Sequence, residues 1–486
     1  MNEANQASRP SDLKNAGDVV VMKFGGTSVE DEGAIQRLID IVKSRLHTSR
    51  PVVVVSALSK VTDQLQEAGE AAALGRLGAA LESVRKMHVR HDRVAGELIG
   101  GDAFNALDRE LRGLTRALES LLHEVSLSRE LSPESKDLLL GFGERLSSHL
   151  VAAALREAGI AAAHVDAGRC IVTDDRHGQA SPLWELTNQR LFENAGPLLL
   201  AAQVPVMGGY IATTQEGVPT TLGRGGSDFT AAIVGAALHA SRIEIWTDVD
   251  GIMTTDPKLC PDARVIRQMN FEEAAELAHF GAKVLHPATL APAMRKNIPV
   301  YVLNSKRPDG EGTEIVARAK NHNTVSAITA KRKVATVEIE APNGIDAELL
   351  RSIYSIFDQH RCPVDVMATS LGRVSLLVGS SADLPAITVD LQRVANVSWE
   401  NHKALVCLVG ENIRRQPEVA SLLFAAVSDM DVRLVCQGAS DRTISFLVEE
   451  SKADESVQRL HGLFFPLRKH AEDWGGSSAA FCQAAG

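Results

Sequence analysis

The stretch Val19–Ser28, VVVMKFGGTS, predicts a strand that ends in an anion-binding turn. Its first half is rich in β-branched residues, which is typical of the interior of a buried strand. Lys23 interrupts this apolar run, and a lysine is rarely buried unless an opposite charge pairs with it. Gly25 and Gly26 follow, and residues without a Cβ let a phosphate approach the backbone closely. We therefore expect Lys23 to point at an anion beyond the strand; the alternative is a tight turn with a solvent-directed lysine.

Similar apolar runs alternate with helical segments along the first part of the chain. The predicted strands span 19–24, 51–57, 160–167, 204–212, 242–248 and 298–305. Nearly continuous apolar strands that alternate with helices indicate an α/β sandwich with a mostly parallel sheet. In such sheets, ligands bind beyond the carboxyl ends of the strands.

The rhythm of the sequence also predicts several domains. A segment rich in Leu, Ala, Glu and Arg at 62–157 indicates a helical insertion, and an internal repeat (363–378 against 431–448) indicates two small α+β modules. The predicted boundaries are a disordered tail at 1–17, an α/β domain at 18–330, modules at 334–402 and 403–470, and a second tail at 471–486.

Composition excludes two classes of partner. The formal net charge of −10 argues against a general nucleic-acid binder. No stretch approaches the ~18 uninterrupted apolar residues of a membrane span. The six cysteines show no CxxC or metal-ligand spacing, and the polar N-terminus lacks the apolar core of a secretory signal. We therefore expect a cytoplasmic protein with free thiols.

A second glycine-rich turn precedes a helix at 223–228, where the sequence is GRGGSD. Arg224 offers a guanidinium for a carboxylate or phosphate, and helix N-termini favour anions. Asp228 is placed to orient Lys23 or a metal ion. The alternative is that Ser227 and Asp228 only cap the helix.

A third segment, WTDVDGIMTTDP, begins where a predicted strand ends at Thr247 and Asp248. It resembles the start of a calcium loop, but the terminal glutamate of an EF-hand is missing, so a nucleotide-lining loop fits better. Lys283 lies near the start of a later helix. His279 and His286 have no third partner at ligand spacing, so we predict no metal site.

Together these motifs resemble the aspartokinase family. The matching segments are KFGGTS, SALSKVTDQL (56–65), GFGE (141–144), TTLGRGGSDFTAA, WTDVDGIMTTDP and FGAKVLHPATL. The resemblance implies an amino-acid-kinase fold, a three-layer sandwich, followed by two ACT modules. It also implies ATP-dependent phosphorylation of the side-chain carboxylate of L-aspartate to 4-phospho-L-aspartate. That reaction is the first step of lysine, threonine and methionine biosynthesis.

The resemblance assigns a role to each matching residue. The phosphates would be held by Lys23, Gly25 and Gly26, and Asp228 would organise the catalytic centre. The substrate would be bound through its α-carboxylate by Arg224 and Thr62 and through its ammonium by Glu144, with Ser56 and Ser227 at its border. The nucleotide site would be lined by Thr247, Asp248, Met253, Lys258 and Lys283. Met253 and Lys258 stand where the family often has tyrosine and arginine. ATP and Mg²⁺ are the implied cofactors. The residues alone favour Glu144 as an exposed partner of Arg145 and Thr62 as a plain helix cap, so both roles rest on the resemblance.

The first module departs from the lysine-sensitive pattern Met-x-x-Ser-x-Gly-Phe-Leu, since this chain has NGIDAELL at 343–350. Inhibition by lysine, inhibition by threonine and insensitivity therefore stay open. A homodimer or larger homo-oligomer is implied because ACT modules commonly pair. Two alternative functions are a kinase for another small carboxylate and a non-catalytic amino-acid sensor built on the ACT pair.

Overall fold

A computed structural model describes residues 17–281, 287–320, 324–341, 344–380 and 382–466. The chain divides into two compact units. The first lies within Met1–Ile252, Val265–Phe271 and Val284–Lys320, and the second within Met253–Arg264, Glu272–Lys283 and Asn321–Gly486. This division differs from the predicted boundary at 330, because two short segments before it group with the second unit.

The first unit is built on an eight-stranded sheet. Its strands and the neighbouring hairpin are β1 (Val19–Phe24), β2 (Arg50–Val55), β3 (Ala162–Val165), β4 (Val204–Gly208), β5 (Ile211–Thr213), β6 (Pro219–Thr221), β7 (Arg242–Thr247), β8 (Gln268–Asn270), β9 (Val300–Asn304) and β10 (Thr313–Val316). The sheet order is β3-β4-β2-β1-β7-β9-β10-β8, and β5 pairs with β6. In this order, β3, β4, β2, β1, β7 and β9 run parallel to one another, while β10 is antiparallel to β9. The predicted α/β class with a mostly parallel sheet is confirmed.

Helices cover the sheet of the first unit. They are Glu32–Leu46, Val61–Ala73, Leu77–Leu98, Gly101–Ser128, Pro133–Glu157, Ala167–Cys170, Trp184–Leu200, Gly226–Ala237 and Pro287–Lys296. All six residues of β1 are buried. The core continues across the sheet, where Phe24 stacks on Trp246 with ring centroids 6.1 Å apart. The parallel strands read as continuous apolar runs because both of their faces are covered.

Four consecutive helices occupy the segment in which the sequence predicts a helical insertion. Pro133–Glu157 is the most buried of them and packs on the sheet as well as on the other helices. Among the described residues it is the one helix long and apolar enough to cross a bilayer, but 83% of its apolar window is buried within the protein. Its apolar character is therefore accounted for by core packing.

One predicted strand is wrong in its extent. The sequence predicts a single strand over 204–212, but β4 ends at Gly208 and β5 begins at Ile211. Tyr210 has a positive φ of 68°, which breaks the extended conformation. Gly209 meets the next helix so closely that a Cβ would lie 2.6 Å from the Cα of Ser227. The chain therefore turns at this point, beside the second glycine-rich turn.

The second unit holds a six-stranded antiparallel sheet. Its strands are β11 (Ala327–Glu340), β12 (Val364–Ser370), β13 (Arg373–Gly379), β14 (Asn396–Val409), β15 (Leu434–Gln437) and β16 (Thr443–Glu449), in the order β12-β13-β11-β14-β16-β15. Its helices are Phe271–His279, Ala347–Gln359, Leu384–Leu391, Pro417–Ala426 and Ala453–Phe464. The repeated hairpins predicted from the sequence form the two edges of this one sheet.

Two separate hydrophobic cores show how the modules are interleaved. Ile328, at the start of β11, packs in a core with Val406 and Phe446. Val337, later on the same strand, packs in the other core with Phe357. The first half of β11 therefore completes the second module, although it precedes the first module in the chain. The predicted module boundary at 402/403 misses this contribution, because one strand serves both cores.

Candidate active site

The ammonium of Lys23 pairs with a carboxylate from the second glycine-rich turn. Lys23 Nζ lies 2.7 Å from Asp228 Oδ1. Lys23 is 9% exposed, although it occupies a strand of a parallel sheet. Asp228 belongs to the first turn of the helix Gly226–Ala237. Two segments more than 200 residues apart in sequence thus meet at the carboxyl end of β1.

The turn after β1 depends on its two glycines for close packing. The Gly25 amide donates to the Trp246 carbonyl at 3.0 Å, which ties the turn to β7. A Cβ on Gly26 would lie 3.1 Å from the Ala57 carbonyl oxygen, and a Cβ on Gly25 would lie 3.7 Å from Lys23 Nζ. Glycine at 26 therefore allows the close approach to Ala57, and glycine at 25 leaves space beside the ammonium.

The second turn also requires glycine. Gly225 has a φ of +71°, and a Cβ on Gly226 would lie 2.5 Å from the ring of Tyr210. Arg224 is exposed on this turn and Ser227 is buried at the start of the helix. The arginine is thus free to meet a ligand, while the serine lies against Gly209.

The loop after β2 is tied to the turn after β1. The Ser56 amide donates to the Phe24 carbonyl at 3.0 Å, and the Ser59 amide donates to the Gly26 carbonyl at 3.1 Å. Arg90 holds the loop from outside with a hydrogen bond of 2.6 Å to the Ser59 carbonyl. Thr62 follows as the second residue of the helix Val61–Ala73 and is half-buried. Ser56 therefore borders the Lys23 turn.

Glu144 is buried rather than exposed. Burial raises the pKa of its carboxyl group to about 8, against the opposing effects of a hydrogen bond from the Ala57 backbone and the charge of Lys23. Its Oε2 is buried without a hydrogen-bond partner among the described residues. A Cβ on Gly208 would lie 2.9 Å from the Glu144 carbonyl oxygen, so the end of β4 touches this part of the helix. A buried carboxyl group without a partner is stabilised when a cationic ligand binds to it.

Tyr210 is a site residue that the sequence did not reveal. Its backbone amide donates to Thr230 Oγ1 at 2.9 Å, which fixes it on the helix of the second turn. Burial raises the pKa of its hydroxyl to about 12, a hydrogen bond with Thr221 opposes that rise, and the Glu144 carboxylate adds to it. The aromatic ring thus lies against the second glycine-rich turn and near Glu144. The Gly208-Gly209 pair that precedes it was the available signal.

Thr247 and Asp248 lie at the same edge of the sheet, beyond β7. The Thr247 carbonyl accepts from the Ser305 amide at 2.8 Å, and the Ser305 hydroxyl is 2.8 Å from that of Ser28. These bonds connect the ends of β1, β7 and β9, which are parallel neighbours. The ends of these three strands therefore form one continuous edge, and ligands of parallel sheets bind beyond such an edge.

The remaining nucleotide candidates are not brought to this edge by any described contact. Met253 and Lys258 belong to the second compact unit. Met253 is half-buried, and the exposed Lys258 donates its amide to Asp256 Oδ1 at 2.9 Å in a turn. Lys283 and His286 lie outside the described residues. Their assignment stays a prediction.

Comparison with known proteins identifies the family. A model of the amino acid kinase family matches residues 18–304, and an ACT domain model matches residues 406–464. The lysine-sensitive aspartokinase 3 of Escherichia coli is 34% identical over 462 residues, which cover 92% of this chain and 99% of that protein.

Solved structures of the same relative are also similar in fold. The structure of E. coli aspartokinase III in complex with aspartate and ADP matches with a TM-score of 0.82, at 34% identity, and covers 92% of this chain and 100% of that one. The complex of the same enzyme with lysine and aspartate matches with a TM-score of 0.77, at 34% identity, over 92% and 99%. The chain belongs to the aspartokinases of the amino acid kinase family.

Proposed function

We propose that the chain transfers the γ-phosphoryl group of ATP to the side-chain carboxylate of L-aspartate at the Lys23–Asp228 edge of the sheet. The observation that carries this proposal is the 2.7 Å ion pair between the two glycine-rich turns. It provides a buried cation in an open, glycine-lined turn where two anions can meet. The product is 4-phospho-L-aspartate, an acyl phosphate.

Charge neutralisation is the chemical task of such a site. Two like unit charges ~4 Å apart repel by about 4 kcal/mol at an effective dielectric of ~20. Lys23 and the backbone amides of the turn supply positive potential where the phosphates would lie. Asp228 holds the ammonium in place through the ion pair. No general base is needed, because the side chain of free aspartate, with a pKa near ~3.9, is already ionised at neutral pH.

The buried and exposed charges favour an α-amino acid as acceptor. Glu144 would bind the ammonium, Arg224 and Thr62 the α-carboxylate, and Ser56 and Ser227 would border the substrate. Support comes from the unpartnered Glu144 Oε2 and from the exposed guanidinium of Arg224. An acceptor whose amine is acylated would leave the buried carboxyl group without a partner. Acceptors with an acylated amine, such as N-acetylglutamate, are therefore disfavoured.

ATP would enter as its Mg²⁺ complex. Thr247 and Asp248 would line the nucleotide site, while the roles of Met253, Lys258 and Lys283 rest on the family resemblance alone. Carboxylates are the ligands that Mg²⁺ prefers in proteins. In this unit Asp248 lies beyond the carboxyl end of β7, and Asp228 lies in the first turn of the helix Gly226–Ala237. The residues present thus fit the ion.

The assay that tests this function measures aspartyl hydroxamate formed from ATP, Mg²⁺, aspartate and hydroxylamine. We expect hydroxamate to form in proportion to ADP with aspartate, and at less than ~1% of that rate with N-acetylglutamate, because the latter lacks a free ammonium. Glutamate serves as the matched control, since it keeps both charged groups on a longer chain. Equal rates with N-acetylglutamate, or no turnover by a folded sample, would refute the proposal.

Regulation by an amino acid is the finer part of the proposal. The first module has a cavity of about 430 Å³ that Glu340, Asp346, Leu349, Gln392 and Asn396 help to line. The lysine complex of the E. coli relative makes lysine the first effector to test in the hydroxamate assay, followed by threonine and methionine. Asn343, part of the departing motif, lies outside the described residues. Homo-oligomerisation through the modules and a cytoplasmic location stay predictions.

A further inference from the structure

A buried carboxylate without an assigned role lies on the same helix as Glu144, two turns earlier. Asp137 is 3% exposed. Its Oδ1 accepts from the Thr221 hydroxyl at 2.6 Å, and both of its oxygens accept from the Gly178 amide, at 3.1 and 2.9 Å. Its Oδ2 also accepts from His177 Nδ1 at 2.9 Å. One carboxylate thus joins the Glu144 helix to a loop and to the strand β6.

The loop that Asp137 binds, 174–181, is already closed upon itself. The Asp174 amide donates to the Ser181 carbonyl at 3.0 Å, and the Ser181 amide donates to Asp174 Oδ1 at 2.9 Å. Arg176 bridges the same two side chains, at 2.8 Å to Asp174 and 2.6 Å to Ser181. The loop therefore has its shape without Asp137. What the buried carboxylate fixes is the place where the loop sits.

That place is against the turn that carries Arg224. Gly223 has a φ of +75°, and a Cβ there would lie 2.9 Å from the Gly178 carbonyl oxygen. The Ala180 amide donates to the Thr221 carbonyl at 2.9 Å, so the loop also follows β6 into the turn. Gly223 immediately precedes Arg224 in the chain. A shift of the loop would therefore change the position of Arg224.

We propose that Asp137 is a positioning residue that holds the loop 174–181 against the second glycine-rich turn and thereby sets Arg224 for the α-carboxylate of the substrate. This inference rests on the proposed function. Because Asp137 and Glu144 share one helix, the same rigid element fixes the group for the ammonium and the anchor of the group for the carboxylate. One helix thus sets the distance between the groups that bind the two charges of an α-amino acid.

A carboxylate suits the hydrogen bonds that meet at this anchor. Asp137 receives hydrogen bonds from a hydroxyl, an amide and an imidazole, and donates none. An ionised carboxylate is an acceptor at both oxygens, whereas an asparagine can accept from both Gly178 and His177 only by turning its NH₂ group toward Thr221, and it then meets all three partners without a charge. Asp137→Asn would therefore weaken the attachment of the loop.

Thr221→Val removes the hydroxyl that donates to Asp137 Oδ1 and keeps the shape of the side chain. The same hydroxyl also hydrogen-bonds with Tyr210, so Tyr210→Phe is measured beside it and should raise the KM for aspartate less than Thr221→Val does. We expect the KM for aspartate to rise by about 10-fold, with kcat and the KM for ATP changed by less than ~3-fold. The matched control is Thr220→Val on the same strand, whose buried hydroxyl lies 2.6 Å from that of Thr173 rather than on Asp137. The control should leave the KM for aspartate within ~2-fold of the wild-type value.

Asp137→Asn should raise the KM for aspartate more than Thr221→Val does, and its Tm is measured to confirm that it folds. If Asp137→Asn does not fold, Thr221→Val carries the test. The inference is overturned if wild type phosphorylates aspartate while Thr221→Val keeps the wild-type KM. It is also overturned if Thr221→Val raises the KM for both substrates equally, or if Thr220→Val has the same effect. A wild type that never phosphorylates aspartate refutes the proposed function itself, and this inference with it.

Discussion

Lys23→Met should lower kcat for aspartate phosphorylation by at least ~100-fold, because it removes the buried cation that we propose neutralises both anions. The ammonium is held at 2.7 Å from Asp228 and shielded by the sheet, so solvent cannot replace it readily. The KM values should change less than kcat, since the charge on the transferring group develops in the transition state. The measurement is steady-state ADP release at saturating aspartate and MgATP.

Lys43→Met is the matched control for this substitution. Lys43 is exposed near the end of the helix Glu32–Leu46, so its loss removes the same charge from the chain without touching the site. The control should keep kcat within ~2-fold of wild type. A Lys23→Met protein that is folded by its Tm and turns over within ~3-fold of wild type would show that the lysine is not at the reaction centre.

Glu144→Gln should raise the KM for aspartate by ~10- to 100-fold and leave the KM for ATP nearly unchanged. The basis is the proposed contact between the substrate ammonium and this buried carboxylate, since hydrogen bonds to charged groups contribute ~1.5–3 kcal/mol. Glutamine keeps the shape of the side chain and can still accept from the Ala57 backbone. The measurement is the initial rate as a function of each substrate separately. Equal KM values in wild type and variant would place the ammonium elsewhere.

The pH dependence of the KM distinguishes a charge effect from a loss of shape at Glu144. Burial raises the pKa of this group to about 8, so in the free protein it is protonated below that pH. An ammonium ligand needs the ionised form, and the KM for wild type should therefore fall as pH rises toward 8, by up to ~10-fold per pH unit. Glu144→Gln cannot ionise and should show a KM that is flat over the same range.

The same group gives a stability effect of defined sign. Its folded-state pKa is raised above the ordinary value of 4.5, so its contribution to stability is present below about pH 4.5 and is lost as pH rises toward 8. Glu144→Gln removes this loss. The variant should therefore gain Tm relative to wild type as the pH increases from 5 to 8, and a constant difference in Tm would contradict the assigned burial.

The Lys23 turn could be predicted from its own residues, because an isolated lysine in a β-branched run and a glycine pair each have a local physical meaning. The pairing of Lys23 with Asp228 was one of two alternatives, because no local pattern reveals which distant segment meets a strand end. Without the family resemblance, Glu144 could have been exposed. Its burial follows from packing of the whole helix Pro133–Glu157, which its local sequence does not determine.

Asp137 could not have been found from the sequence for the same reason, and Tyr210 had only the preceding Gly208-Gly209 pair as a signal. The break at Tyr210 comes from close contact between Gly209 and Ser227, which lie on different segments. All of the partners of Asp137 come from at least 40 residues away in the chain. The sharing of β11 between two cores was also hidden, because a strand's own pattern does not name its neighbours.

A double-mutant cycle of kcat for Lys23→Met, Asp228→Asn and the combined variant tests most directly whether the two glycine-rich turns act as one catalytic unit. Each single substitution should lower kcat by at least ~100-fold, and the combined variant should be no more than ~3-fold slower than the slower single variant. Losses that multiply to about 10,000-fold, or a single variant with near-normal turnover, would show that the lysine and the aspartate do not work together.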